Sequence, residues 1–214
     1  MRIGIVSDIH CNHAGLAAAL EQMGPVDELL CAGDSVLEYR LGNEALELLR
    51  ERKARCVLGN HEIVLLGPHG ERARAMPHVR RENLDWLAAL PLRVELEIAG
   101  KRILMVHGSP FDPWDEYIYP GSRELKKLGD VDADYFIYGH THCQLAERIG
   151  KVMVINPGSA GDARDHRNGR ALDRRFFRRR HADLELRRFG VSRHPVTIVI
   201  REGYVNTLVL TTSG

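Results

Sequence analysis

Eight side chains at five points along the chain could do chemistry together: Asp8 with His10, Asp34, Asn60 with His61, His107, and His140 with His142. Together they supply carboxylate, amide and imidazole donors, enough for two metal ions. A mixed nitrogen and oxygen set suits Mn, Fe, Zn or Ni better than Ca. The chemistry this offers is two-metal Lewis-acid catalysis of hydrolysis. Any one pair is weak, because a lone Asp-x-His or Gly-Asp is usually only a turn. The weight lies in five clusters in order, each following an apolar run. If the His140-Thr141-His142 turn continues its strand, its two imidazoles point the same way and can serve neighbouring ions.

The apolar runs are the elements that must position these groups. Arg2 to Ser7 reads as a buried strand breaking at Asp8, and a helix follows from an Asn12 cap to Met23. Glu28 to Ala32 is a second strand, ending at Gly33-Asp34. Asn43 to Lys53 is a helix with Ala45, Leu46, Leu48 and Leu49 inward, and Arg55 to Leu58 runs into Gly59-Asn60-His61-Glu62. Residues 71–90 look helical, broken by Pro77, with Leu84 and Leu87 inward. Arg93 to Ala99 and Arg102 to Val106 form an expected hairpin, and the second arm ends at His107-Gly108. After a short helix near Arg123 to Leu128, Asp134 to Tyr138 ends at Gly139-His140. Lys151 to Ile155 ends at Asn156-Pro157-Gly158-Ser159, and Val196 to Arg201 with Tyr204 to Leu210 suggests a C-terminal hairpin about Glu202-Gly203. Alternating strand and helix at this spacing predicts an α/β fold, and ligands in such folds gather beyond the carboxyl ends of the strands.

The set Asp8-x-His10, Gly33-Asp34, Gly59-Asn60-His61-Glu62, His107-Gly108 and Gly139-His140-x-His142 resembles the calcineurin-like metallophosphoesterases, nearest to their compact bacterial and archaeal phosphodiesterase branch. The resemblance covers about residues 1–161. It implies an αββα sandwich, two mixed β-sheets flanked by helices. It further implies that Asp8, His10 and His142 hold one divalent ion, that Asn60, His107 and His140 hold the other, and that Asp34 bridges them. Mn is the leading metal. His61 is then the catalytic histidine rather than a ligand, assisting the leaving group while hydroxide bridging the metals attacks phosphorus in a phosphodiester or phosphomonoester. Asp34 and Asn60 share the catalytic role, and Asn60 and His61 also meet the substrate. After Gly33-Asp34 the chain reads Ser35-Val36-Leu37-Glu38 instead of the x-Val-Asp-Arg of protein Ser/Thr phosphatases, so phosphoprotein is a poor substrate candidate. A similar retromer scaffold subunit keeps the fold without the catalytic histidine; here His61 and all seven ligands are present.

The chain has 214 residues, 44% hydrophobic and 28% charged, which excludes disordered, collagenous and disulfide-scaffold classes. We expect one domain over 1–214, with a motif-bearing core over 1–161 and a divergent segment over 162–214. No apolar run reaches the ~18 residues that span a bilayer. Cys11, Cys31, Cys56 and Cys143 form no Cys-x-x-Cys pair, so free thiols in the cytoplasm are expected. Cys11 and Cys143 adjoin two ligands and are read as packing residues, and His13 could approach the site.

Four of the thirteen aromatic residues, Phe111, Trp114, Tyr117 and Tyr119, fall within nine positions after His107. Such rings could stack on a nucleobase or pack the loop, with Trp114 as a candidate substrate contact. The balance of 30 Lys and Arg against 29 Asp and Glu hides an asymmetry. From Arg164 to Arg193 there are 11 Arg against four carboxylates, a net +7 that leaves the other residues at −6. Arg164 is a candidate phosphate contact. The expected partner is a small phosphorylated substrate such as a nucleotide, with no membrane and a homo-oligomer as an open alternative. A metal-binding scaffold or an RNA- or protein-binding module using the basic segment is the competing reading.

Overall fold

The computed structural model describes residues 1–98 and 100–162, with the backbone of Val196–Arg201 and Thr207–Thr212. Two five-stranded sheets face each other. The first runs β3-β2-β1-β10-β9, from β1 (Arg2–Val6), β2 (Glu28–Cys31), β3 (Arg55–Cys56), β9 (Val196–Arg201) and β10 (Thr207–Thr212). The second runs β4-β5-β6-β8-β7, from β4 (Arg93–Ile98), β5 (Lys101–Val106), β6 (Tyr135–Ile137), β7 (Leu145–Ile149) and β8 (Val152–Asn156). Strands β1, β2 and β3 are mutually parallel, as are β5, β6 and β8, while β4, β7, β9 and β10 pair antiparallel. This is the expected mixed αββα architecture.

The sheets hold together because their strands are apolar on both faces, as buried strands must be. Ile3, Ile5 and Leu30 meet Ile103, Met105, Ile137, Met153 and Ile155 between the sheets. The alternate residues of the same strands turn outward. In the first sheet Val6, Leu29 and Cys31 pack against Leu16, Ala19 and Leu20 of α1 (His13–Met23) and Ala45 and Leu49 of α2 (Asn43–Glu51). In the second, Leu104, Val106, Phe136 and Val154 pack against Leu125 and Leu128 of a 3₁₀ helix over Glu124–Asp130. Asn12 caps α1 as expected, its side chain accepting from the Gly15 N–H at 2.8 Å. Pro77 does divide the third helical region, leaving α4 (Glu71–Arg74) and α5 (Arg81–Ala88), with Leu87 fully buried.

Three local expectations need correction. Strand β7 is missed by the pattern of apolar runs, because as an edge strand it is only half buried and carries Glu147 and Arg148. The terminal hairpin exists, but its second arm is Thr207–Thr212 rather than Tyr204–Leu210, and it enters the middle of the first sheet beside β1. Asn60 and His61, which the sequence pattern places only beyond the run from Arg55 to Leu58, open α3 (Asn60–Leu66). Among the described residues no helix is long and apolar enough to cross a membrane.

Candidate metal centre

Six parallel strands deliver their carboxyl ends to one edge of the sandwich, and six of the eight singled-out residues follow those ends directly. Asp8 and His10 follow β1, Asp34 follows β2, His107 follows β5, and His140 and His142 follow β6. Asn60 and His61 come just after β3 in the first turn of α3. Left-handed backbone makes the approach tight: φ is 53° at Asp8, 51° at His10, 53° at Asp34, 67° at His140 and 57° at His142. Each such residue is disfavoured by about 1 kcal/mol or more, so the surroundings must hold it there. The Asp8 N–H donates to Gly33 O at 3.0 Å, the His10 N–H to Asp34 O at 2.9 Å, and the Ser159 hydroxyl to Asp8 O at 2.6 Å. The His140 N–H donates to both carboxylate oxygens of Asp8 at 3.1 Å, joining the two sheets. These conformations also correct the expectation for His140-Thr141-His142, which does not extend β6.

Hydrogen bonds fix the imidazole tautomers. A carbonyl can only accept, so the proton of His107 is on Nδ1, 2.7 Å from Ala32 O; that of His140 is on Nε2, 3.1 Å from Asp115 O; and that of His142 is on Nδ1, 2.7 Å from Asp162 O. The second ring nitrogen of each turns inward. His107 Nε2 lies 3.2 Å from Asp34 Oδ2, 3.1 Å from Asn60 Oδ1 and 3.1 Å from His140 Nδ1. His142 Nε2 lies 3.3 Å from Asp8 Oδ1 and 2.9 Å from His10 Nε2. His107 Nε2 is thus ringed by a carboxylate, an amide oxygen and a second imidazole, an arrangement that a proton or another cation among them relieves. Asp8, His10 and His142 form one group able to hold a metal, Asp34, His107 and His140 a second, and His10, Asp34 and His61 a third lying between them. The donor set fits divalent ions.

Comparison with known proteins agrees with this geometry. Residues 1–172 match the calcineurin-like phosphoesterase superfamily domain. The chain belongs to that superfamily. An uncharacterized protein of Methanocaldococcus jannaschii is 31% identical over 193 residues, spanning 76% of this chain and 77% of its own. The symmetrical bis(5'-nucleosyl)-tetraphosphatase of Paracidovorax citrulli is 31% identical over 121 residues, 47% of this chain and 42% of that one. The crystal structure of a metallophosphoesterase from Sphaerobacter thermophilus superposes with a TM-score of 0.64 at 25% identity, covering all of this chain and 89% of the other. The calcineurin-like assignment makes the chain a hydrolase of phosphoester bonds from a family that uses divalent metals.

The electrostatics of the metal-free phosphoesterase site show how strongly it calls for positive charge. Burial pushes Asp8 up to about 7, even with His107 opposing. Burial alone would also raise Asp34, but the His107 charge and hydrogen bond, with His61 and His10, outweigh it and hold that carboxyl well below the usual range. Burial would lower His107; the Asp34 carboxylate reverses this and pushes it up to about 10. A proton thus occupies His107 where no other cation does. His10 and His140 are pushed down to about 4, chiefly by burial.

One residue of the centre carries no signal as a ligand. Glu62, fully buried, accepts hydrogen bonds from the N–H groups of Asp34 (2.9 Å), Ser35 (2.7 Å), Val36 (3.1 Å) and Gly59 (2.8 Å), and from the Ser35 hydroxyl (2.7 Å). It ties the turn bearing Asp34 to the helix bearing Asn60 and His61. Its place three residues after Gly59 is the usual site for a helix-capping Glu, and that spacing could have found it. The approach is so close that a Cβ on Gly59 would sit 2.2 Å from Asp34 Oδ1. The other candidates stay outside: the half-buried Cys11 thiol donates to Arg40 O at 3.2 Å, His13 is exposed at the start of α1, and Trp114 is half-buried. Cys143 is partly buried next to His142, and Arg164 and the basic segment 164–193 lie outside the described residues.

Two outcomes follow. Glu62→Gln keeps the shape but turns an amide donor toward the N–H groups of Asp34 and Gly59 or of Ser35 and Val36. It should weaken metal binding about tenfold or more, read by chelator competition on protein whose circular dichroism is unchanged; wild-type affinity would refute the positioning role. In the metal-free protein, His10 and His140 are neutral when folded and take up two protons when unfolded between pH 6.5 and about 4. Asp8, raised to about 7, carries one proton in the folded state that the unfolded state lacks. The unfolded state thus binds more protons, although Glu62, its carboxyl also raised by burial, offsets part of the difference, and stability should fall by up to about 1.4 kcal/mol per unit as pH drops through that window. Thermal melts of chelated protein that stay level from pH 6.5 to 4 would contradict this balance.

Proposed function

We propose that the chain is a divalent-metal-dependent phosphodiesterase acting on a small nucleotide-type substrate, with phosphomonoesters as a second class. The observation that carries it is the pair of donor groups on either side of Asp34, whose inward imidazole nitrogens lie 3.2 and 3.3 Å from carboxylate oxygens. Asp8, His10 and His142 would hold one ion, Asn60, His107 and His140 the other, with Asp34 between. Such ions, Mn, Fe or Zn by the donor chemistry, supply Lewis acidity toward phosphoryl oxygens and make hydroxide available near neutral pH. The partial match to a bis(5'-nucleosyl)-tetraphosphatase supports the nucleotide part of the reading. Free thiols at Cys11, Cys31, Cys56 and Cys143 support a reducing, cytoplasmic setting.

His61 is arranged to serve the leaving group. The Glu38 N–H donates to His61 Nδ1 at 3.2 Å, so the ring proton sits on Nε2, which lies 3.7 Å from Asp34 Oδ2 at the half-exposed mouth of the site. An imidazole whose Nε2–H is directed at the site can donate a hydrogen bond to a departing alkoxide or nucleotide oxygen. The His61 N–H to Asp34 Oδ1 bond at 3.0 Å keeps that ring in register with the carboxylate.

The test is turnover of bis-p-nitrophenyl phosphate and p-nitrophenyl phosphate by protein reconstituted with Mn²⁺, with metal content measured alongside. We expect His61→Ala to retain metal and lose about 10²–10⁴-fold in kcat, and Asp34→Asn to lose metal. The reverse pattern, or metal-free and inactive wild-type protein under every metal supplement, would overturn the reading.

A further inference from the structure

Among the described residues four aromatic side chains are exposed, and all four lie on two loops that touch the histidine cluster. Phe111, Tyr117 and Tyr119, exposed by 66%, 44% and 46%, belong to the segment following His107. That segment is anchored on His140 twice: the Asp115 carbonyl accepts its Nε2 proton, and the Tyr117 ring lies 3.5 Å from the His140 ring, centroid to centroid, tilted by 30°. Tyr119 stacks on Tyr117 at 5.8 Å and 10°. A column of three rings thus leads from the metal centre to the surface. The second loop carries Tyr39, 64% exposed, in a turn closed by reciprocal backbone bonds between Leu37 and Arg40. Its Glu38 N–H is the group that holds His61 Nδ1.

Exposed single apolar residues need no explanation, but every exposed ring gathered on the two loops that grip catalytic-site histidines does. Aromatic faces beside a phosphate-binding centre are the chemistry that binds nucleobases, at a gain of about 1–3 kcal/mol per stacked base. The exposed guanidinium of Arg40, next to Tyr39, adds a group that pairs with phosphate.

We propose that this rim sets the specificity of the site: Tyr119, at the outer end of the column, and Tyr39 bind the base of a nucleoside phosphate ester, while Tyr117 positions His140. The inference rests on the phosphoesterase reading above and narrows its substrate class. Two measurements separate the two. In the first, binding of adenosine 5′-monophosphate and ribose 5-phosphate to the Mn²⁺-loaded protein is compared by calorimetry. The nucleotide should bind at least about fivefold tighter, and that preference should shrink about fivefold in Tyr119→Ala or Tyr39→Ala and survive in Tyr119→Phe. In the second, kcat/KM is compared for the p-nitrophenyl esters of thymidine 5′-phosphate and of methyl phosphate, which share a leaving group; the thymidine ester should be favoured, and less so in Tyr119→Ala. Base preference in binding without turnover of either ester supports the rim and overturns the phosphoesterase reading. Turnover of both esters without base preference does the opposite. A Tyr119→Ala protein that changes oligomeric state while keeping full base preference also overturns the rim.

Discussion

The chemistry of this molecule depends on keeping one buried carboxylate charged. Asp34 sits at the end of β2 with almost no solvent, where an isolated ion would be untenable. It is sustained by His107 from the opposite sheet and by His61 from the adjacent helix. The same device recurs at Asp8, whose carboxylate receives the His140 N–H and faces His142. Both carboxylates therefore end neighbouring strands of the first sheet and take imidazole or N–H partners from the second, and the centre acts as an electrostatic staple across the top of the apolar interior. That interior fixes the separation of the sheets, and so the distance between groups too far apart in sequence to find each other otherwise.

Most of what builds the staple was legible in the chain. The buried strands β1, β2, β5, β6 and β8 announce themselves as apolar runs because both their faces are covered, and a polar cluster at the end of such a run has to emerge at a sheet edge. Asn12 and Pro77 behave as their chemistry demands. Two parts were not legible. Strand β7, which among the described residues pairs only with β8, is half-buried along most of its length and carries Glu147 and Arg148 in succession, so its signal is weak. The position of β10 between β1 and β9 is a long-range choice that no local pattern encodes.

The left-handed residues are a subtler omission. Five predicted ligands adopt positive φ, and Asp and His permit this without advertising it as glycine does. The consequence is specific: His140 and His142, separated by one residue, end in different donor groups because the backbone turns between them instead of running straight. Glu62 shows the converse case. It stands within the motif, but its work is done on backbone N–H groups of Asp34, Ser35, Val36 and Gly59, so its type implied charge while its position implied a cap.

The centre and its rim obey different constraints, which is why they differ in what they can select. The proposed ligands are buried or half-buried, the tautomers of His107, His140 and His142 dictated by backbone carbonyls of Ala32, Asp115 and Asp162, and nothing in such a set distinguishes one phosphate ester from another. The rings of Tyr39, Phe111 and Tyr119 are free of the core and can change without cost to it. Yet the loops that carry them are fastened to His61 and His140 through Glu38, Asp115 and Tyr117. A base seated on the rim would therefore bear on the imidazoles themselves, and selectivity would be coupled to the reacting groups through three contacts rather than through the fold as a whole.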